Sequence, residues 1–307
     1  MIAVLGAGAF GTALALALAR DGRPVTLIAR DAEALARTRR SPRLPAIALP
    51  DAVTIAAEAP PAEAVLLAVP AQSLGAVLAG PLPDAPLVAC CKGIDLATLT
   101  GPAGVIEAAR PGTPAAVLTG PSFADDIARG LPTALTLACT EEAERLQRLL
   151  STDTLRLYTT EDVMGAQIGG ALKNVTAIAC GAAIGAGLGE SARAALMTRG
   201  HAETVRLAVA LGARPETLAG LSGLGDLALT CTSERSRNFR AGLALGRGEA
   251  PEDVTTEGLA TARAAVELAR SGGMELPVAE AVRDITEGRT GVLDAARRLL
   301  ARPLTTE

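Results

Sequence analysis

Aromatic side chains are almost missing from this chain of 307 residues: no tryptophan, one tyrosine and three phenylalanines, 1% in all. With 49% hydrophobic residues and 32 glycines, its core has to be aliphatic and built on close approach of small side chains. Histidine occurs once, at His201. Chemistry that needs a histidine pair is therefore excluded, as is a hydroxy-acid dehydrogenase relying on a His–Asp pair unless His201 is its base. Five cysteines, an odd number with no C-x-x-C spacing, fit neither a disulfide scaffold nor a zinc site. The adjacent Cys90 and Cys91 read as small strand residues. An excess of positive charge is also absent. The 29 basic and 33 acidic residues leave a formal net charge of −4, which argues against nucleic acid as the main partner.

Lysine is scarcer still. The basic residues divide into 27 arginines and two lysines, Lys92 and Lys173, and asparagine also occurs twice, at Asn174 and Asn238. A chain that uses arginine wherever positive charge suffices marks, with its lysines, places that need a compact amine able to change protonation. The alternative is two surface lysines left by chance.

Two apolar runs imitate membrane segments. Residues 2–19 carry no charge, but no basic stretch precedes them and Gly6, Gly8 and Gly11 interrupt them. Residues 164–189 are mostly apolar with Lys173 and Asn174 near the middle. A lysine at mid-bilayer costs about 2.5–3.5 kcal/mol on insertion scales, so this run reads as a buried core helix. The expected location is the cytoplasm, with no membrane span.

The length fits two domains at roughly 150 residues each. In the first half, short apolar runs at 2–5, 25–29, 65–69, 87–91, 115–118 and 133–138 alternate with helical stretches, and 155–158 reads as a further strand. That alternation implies an α/β Rossmann-type, doubly wound, mostly parallel sheet with helices on both faces. After Glu161 the pattern turns helical with glycine-rich breaks. The expected division is a dinucleotide-binding domain at 1–163 and an all-α substrate-binding, catalytic domain at 164–307.

Gly6-Ala7-Gly8-Ala9-Phe10-Gly11 follows the first strand and opens a helix. In a dinucleotide site the first glycine makes the tight turn, the second admits the pyrophosphate and the third lets helix and strand pack closely, with the helix N-terminus facing the phosphates. A bare tight turn is the alternative. At the end of the second strand, where an acidic residue would bind the ribose of NAD, stands Arg30, followed by Asp31. A guanidinium suits a 2′-phosphate, so NADP(H) is expected to be preferred, with NAD(H) possible through Asp31. Alternatively Arg30 is a solvated strand end.

Ligands in such sheets sit beyond the carboxyl ends of the strands, and Val69-Pro70, Lys92-Gly93 and Gly120-Pro121-Ser122-Phe123 all fall there. Ser122 is also a candidate helix cap, with Asp125 three residues on. Phe10, Phe123 and Phe239 lie in such marked segments and, with Lys92, point to one crevice. In the second half, burial of Lys173 would disfavour its charged form and make it an acid–base group near neutral pH, unless it reaches out to solvent. Asp226, in a Gly-Leu-Gly-Asp segment, can fix a neighbouring ammonium or a substrate hydroxyl. Arg237, between Ser236 and Asn238, can clamp an anion bidentately, or be a surface charge on a helix turn.

The segments GAGAFGTALA, VPAQ, CKGI, TGPSFADDIARGLPTA, GGALKNVTAIACG, TRG, GLGDLALTCT and SRN, in this order and nearly end to end, resemble soluble, bacterial-type NAD(P)-dependent glycerol-3-phosphate dehydrogenase. The resemblance implies a Rossmann domain, a helical domain, an active site between them, and NAD(P)H-dependent reduction of dihydroxyacetone phosphate to sn-glycerol 3-phosphate for phospholipid synthesis. It implies Lys173 as the acid–base residue and Lys92 in contact with substrate and cofactor. Gly120, Ser122, Asp226, Ser236, Arg237 and Asn238 would line the substrate site. Ala9, Phe10, Arg30, Ala124, Arg237, Thr255 and Glu257 would contact the dinucleotide. The residues around Glu257 depart from the family's pattern, as does VPAQ, which leaves Gln72 without an assigned role; His201 has none. A homodimer is implied by likeness alone, and no metal is called for. The rivals are a related NADP-dependent β-hydroxyacid or ketopantoate-type dehydrogenase, and a non-catalytic NADP(H)-binding regulator.

Overall fold

The structure, a computed structural model, describes residues 1–251 and 257–301. Eight strands form one sheet: β1 (Ile2–Leu5), β2 (Val25–Ile28), β3 (Val53–Ala56), β4 (Ala64–Leu67), β5 (Leu87–Ala89), β6 (Ala115–Thr119), β7 (Thr133–Cys139) and β8 (Leu155–Thr160). Between them run α1 (Ala9–Arg20), α2 (Ala32–Thr38), α3 (Leu74–Leu78, entered through a 3-10 turn at Ala71–Ser73), α4 (Pro102–Ala109), α5 (Ala124–Arg129) and α6 (Ala143–Leu150). The spatial order is β3-β2-β1-β4-β5-β6-β7-β8, and every pairing is parallel except β6 with β7. This is the doubly wound Rossmann-type sheet that the alternating pattern implies.

Alternate strand residues serve opposite faces. Ile2 and Val4 join the cluster beneath α1, α5 and α6, whereas Ala3 joins the one beneath α3 and α4. One strand was not anticipated. β3, at the sheet edge, buries only the first of its four residues, so it lacks the continuous apolar run that marks a central strand.

Among the described residues, the part after β8 is helical: α7 (Val163–Gly185), α8 (Gly189–Ala210), α9 (Pro215–Ala219), a π-helical turn (Leu221–Gly225), α10 (Asp226–Cys231), α11 (Arg237–Gly246), α12 (Glu257–Ser271), α13 (Pro277–Thr286) and α14 (Val292–Leu300). Asp162 caps α7, its carboxylate accepting from Gly165 N at 2.8 Å and, from the α8–α9 connection, Arg214 N at 2.9 Å. α7 is long and apolar enough to cross a membrane. Here it is the spine of the helical half, buried without a break from Gly165 to Ala183.

Small residues make that burial possible. A Cβ on Gly181 would strike the carbonyl oxygen of Phe239, and one on Gly242 that of Ile178. The backbones of α7 and α11 therefore touch, as the shortage of large side chains requires. Gly242→Val would force the two helices apart. We expect it to lower unfolding free energy by at least about 2 kcal/mol, read from urea denaturation. A loss below about 0.5 kcal/mol would contradict the contact.

Candidate active site

The glycine loop links β1 to α1. Gly6 adopts a φ of +114° and a Cβ on it would overlap the carbonyl of Ala68, while one on Gly11 would strike Gly6 O. Both must be glycine for helix and strands to meet. Gly8 differs: a Cβ there would meet nothing within 4 Å, so its backbone faces open space at the N-cap of α1. That space belongs to a cavity of about 1040 Å³ bordered by Gly6, Gly8, Arg30, Asp31, Val69 and Pro70. A dinucleotide fits these residues: free backbone at the helix N-terminus for the pyrophosphate, Arg30 and Asp31 at the ribose end. Ala9 and Phe10 form the first turn of α1. Arg30 is exposed at the end of β2. The chain after α2 brings Arg40 and Arg43 to the same cavity and is tied to the glycine loop by Ser41 Oγ donating to Ala7 O at 2.7 Å.

Beyond the carboxyl ends of β5 and β6, the two lysines meet. Lys92, three residues past β5, donates to Asp226 Oδ2 at 2.6 Å and to Gly120 O at 3.0 Å. Lys173, from the middle of α7, donates to Asp226 Oδ1 at 2.7 Å and to Thr230 Oγ1 at 2.8 Å. Thr230 Oγ1 in turn donates to Asp226 O at 2.6 Å. Asp226 is fully buried and Lys173 nearly so. Burial pushes Lys173 down to about 8, against the pull of Asp226, and the like charge of Lys92 adds to the depression. This cluster can orient a carbonyl, stabilise negative charge on its oxygen and supply a proton.

Around it the other expected residues gather. Gly120 has a φ of +139° and its carbonyl turns to Lys92. Asn238 Nδ2 donates to Asn174 Oδ1 at 2.9 Å, and Asn238 Oδ1 accepts from Gly258 N at 3.1 Å, so the two asparagines link α7, α11 and the start of α12. Ser236 caps α11, its hydroxyl accepting from Phe239 N at 3.2 Å. Arg237 opens α11 and Glu257 opens α12. Burial holds the Glu257 carboxyl above the usual range, opposed by Arg237, Lys92, Lys173 and the N–H of Ala71. Ala124 is the first residue of α5. Thr255 lies outside the described residues.

Two details differ from the sequence reading. Ser122 does not cap α5: the N-cap position is Phe123, and Ser122 Oγ donates instead to Gly120 O at 3.3 Å. Phe239 is a core residue packed with Cys180, Cys231 and Leu243, not a crevice wall. Phe123 lies beneath a guanidinium, that of Arg235, 4.3 Å from the ring centre, and Arg235 also grips both oxygens of Asp126 at 2.8 and 3.0 Å. Thr230, which completes the Lys173 shell, was visible only as part of a Thr-Cys-Thr segment. His201 stands half-buried on α8.

Comparison with known proteins follows the same outline. The family model described as NAD-dependent glycerol-3-phosphate dehydrogenase N-terminus matches residues 1–145, and the C-terminus model of that family matches 162–297. The glycerol-3-phosphate dehydrogenase [NAD(P)+] of Cereibacter sphaeroides is 61% identical, with all of both chains covered. That of Paracoccus denitrificans is 60% identical over all of this chain and 99% of its own. Among solved structures, glycerol-3-phosphate dehydrogenase from Coxiella burnetii superposes with a TM-score of 0.93 at 34% identity, covering 98% of each chain. A ketopantoate reductase from Ralstonia eutropha shares the fold at a TM-score of 0.62 and 17% identity, over 98% of this chain and all of its own.

With only two lysines in the chain, selective ¹³C labelling of lysine should give two side-chain signals that can be titrated without ambiguity. One, from Lys173, is expected to titrate near 8, and the Lys173→Met variant should lack it. Two signals that both titrate above 10 would refute the buried placement.

Proposed function

The chain belongs to the NAD-dependent glycerol-3-phosphate dehydrogenase family, and from that premise we propose how its own residues carry the reversible NAD(P)H-dependent reduction of dihydroxyacetone phosphate to sn-glycerol 3-phosphate. The supporting observation is the meeting of the chain's two lysines, from separate halves of the fold, on one buried carboxylate. Lys92 follows β5 at the same carboxyl edge of the sheet whose β1, β2 and β4 ends border the dinucleotide cavity, and Lys173 reaches it from α7.

A nicotinamide dinucleotide, when held by these residues, would supply the hydride. Lys173 donates the proton that the carbonyl oxygen needs as it becomes a hydroxyl, and takes it back in the oxidative direction. Lys92 and Lys173 together stabilise the charge that develops on that oxygen, an effect largest where water is excluded. Asp226 holds both ammonium groups at fixed positions. Gly120, Ser122, Ser236, Arg237 and Asn238 form the rest of the substrate site, where Arg237 meets the phosphate and so helps hold the carbonyl in line. Gly6, Gly8, Ala9, Phe10, Gly11, Ala124, Thr255 and Glu257 serve the dinucleotide. We assign residues 1–163 to cofactor binding and 164–307 to substrate binding and catalysis.

NADP(H) is our preferred cofactor, NAD(H) the second. Arg30 at the ribose end, with Arg40 and Arg43 on the same cavity, offers cations to a 2′-phosphate. The further assignments, a homodimer in the cytoplasm that feeds glycerophospholipid synthesis, rest on the family likeness. Sedimentation at twice the 30.9 kDa chain mass would support the dimer.

Mixing the purified protein with dihydroxyacetone phosphate should oxidise NADPH and NADH, NADPH faster. Turnover of a β-keto acid or ketopantoate, with none of this substrate, would favour the rival dehydrogenases. Lys173→Met should reduce kcat about a thousandfold while the fold persists; near-normal turnover would remove Lys173 from the chemistry. Arg30→Ser should raise KM for NADPH well above any change for NADH, and equal effects would discard the 2′-phosphate contact.

The pH dependence has a definite sign. Reduction needs Lys173 protonated, so kcat/KM for dihydroxyacetone phosphate should fall as pH rises through about 8, and oxidation should rise there. Asp226→Asn removes the group that favours the charged amine and should move that limb to lower pH. A limb that stays in place would contradict the pairing.

A further inference from the structure

The turn between β4 and α3 contains a side chain that the catalytic scheme leaves unused. Gln72 is exposed, yet both ends of its amide are engaged by one loop. Its Nε2 donates to Ile94 O at 2.8 Å, and its Oε1 accepts from Leu96 N at 3.1 Å. That loop begins with Lys92. Its remaining turn is ordered by Asp95, whose carboxylate accepts from Ala97 N and Thr98 N at 3.0 and 2.8 Å, so the Gln72 bonds are what tie it back to the β4–α3 turn.

Ile94 makes the arrangement unusual. Its side chain is fully buried, not among the sheet's clusters but in the core of the helical half, with Ile168, Leu172, Ala262 and Ala265. The residue two places beyond Lys92 is therefore gripped from both halves: its side chain by α7 and α12, its carbonyl by Gln72. The neighbouring contacts are equally close. A Cβ on Gly93 would come within 3.0 Å of the Ala71 side chain and 3.3 Å of Thr261 Oγ1, and the Ala71 N–H reaches Glu257. Val69 and Pro70, just before this turn, border the dinucleotide cavity.

We propose that Gln72 is a positioning residue for Lys92, holding its loop so that the ammonium spans Asp226 and Gly120 O, and thereby joining the cofactor side of the cleft to the reacting side. Both polar atoms of its amide are bonded to that loop, so it is assigned no contact of its own with substrate or cofactor. This assignment rests on the reading of Lys92 and Lys173 given above. Lys173 is faced by Lys92 from the β5 loop, by Asp226, Thr230 and Cys231 from α10, and by Glu257 from α12 beside Arg237 of α11. Displacing Lys92 removes a like charge that favours the neutral amine.

The test compares Gln72→Leu and Gln72→Glu with the parent enzyme, with Lys92→Met and with the double variant Gln72→Leu/Lys92→Met. Gln72→Leu is expected to lower kcat/KM for dihydroxyacetone phosphate about tenfold, as the loss of a positioning pair of hydrogen bonds would, with the dissociation constant for NADPH unchanged. Its pH–rate limb should move upward, in the direction Lys92→Met moves it. Gln72→Glu, which keeps an acceptor for Leu96 N but sets an oxygen against Ile94 O, should fall short of the parent too. In the Lys92→Met background, Gln72→Leu should add nothing. Hydrogen exchange at Leu96 should be faster in Gln72→Leu, a readout that stands even where the parent turns over no dihydroxyacetone phosphate, the result that would sink the function itself. Parent-like kcat/KM and exchange in Gln72→Leu, or an equal loss with and without Lys92, would overturn the assignment.

Discussion

One carboxylate, Asp226, is the constraint on which the site depends. Each of its oxygens holds one of the chain's two lysine ammonium groups, at 2.6 and 2.7 Å, and the carboxylate itself has no exposure to solvent. Burying a charge is costly unless partners compensate, and here the partners come from positions 92, 173 and 226, contributed by a loop of the sheet domain and two helices of the other half. Without the sheet half Asp226 would keep Lys173 but lose Lys92, and without the helical half Lys92 would keep only Gly120 O. The three-group cluster is therefore complete only when both halves are docked. Arg235 repeats the connection from the side, bridging to Asp126 and covering Phe123.

Bringing those groups together demands close backbone approach along the whole of α7. At Gly169 a Cβ would lie 2.8 Å from Ser222 O, and at Gly170 2.6 Å from Thr119 Oγ1 and 3.7 Å from the stem of Lys92. Across the helix, a Cβ on Gly258 would crowd Asn238 Oδ1 and Ile178. A larger residue on any of these faces would lengthen the distances that the lysines and asparagines span. The scarcity of aromatics and the abundance of glycine are thus tied to the site as well as to the core. The same composition explains why α7 imitates a membrane span: a helix contacted at backbone distance on nearly every side must be small and apolar all round.

Much of this was legible in the sequence because the signals are local or rare. The glycine loop needs only its own spacing beside a strand. The central strands announce themselves as apolar runs, and the two lysines stand out by number in a chain otherwise committed to arginine. What was not legible depends on packing between distant segments. β3 pairs only at the edge, where just one of its four residues is buried. Ser122 has the spacing of a cap, but the turn after β6 aims its hydroxyl back at Gly120 O. Phe239 sits beside a site residue in sequence and faces the other way on its helix. Gln72 and Thr230 acquire partners 22 and 57 residues away, which no local pattern encodes.

The pairing also accounts for the choice of lysine in so arginine-rich a chain. At the position of Lys173, burial pulls the amine toward its neutral form while Asp226 pulls it back, and the balance falls near 8. A group balanced there can give a proton in one direction of a carbonyl–alcohol interconversion and accept it in the other without a large cost either way. A guanidinium in the same place would stay charged under both influences. At Lys92 the requirement is geometric. One compact nitrogen must donate at once to a carboxylate and to a backbone carbonyl turned inward by the positive φ of Gly120, and a planar fork of donors has no such single point to offer. The two lysines thus answer two different demands of one carboxylate.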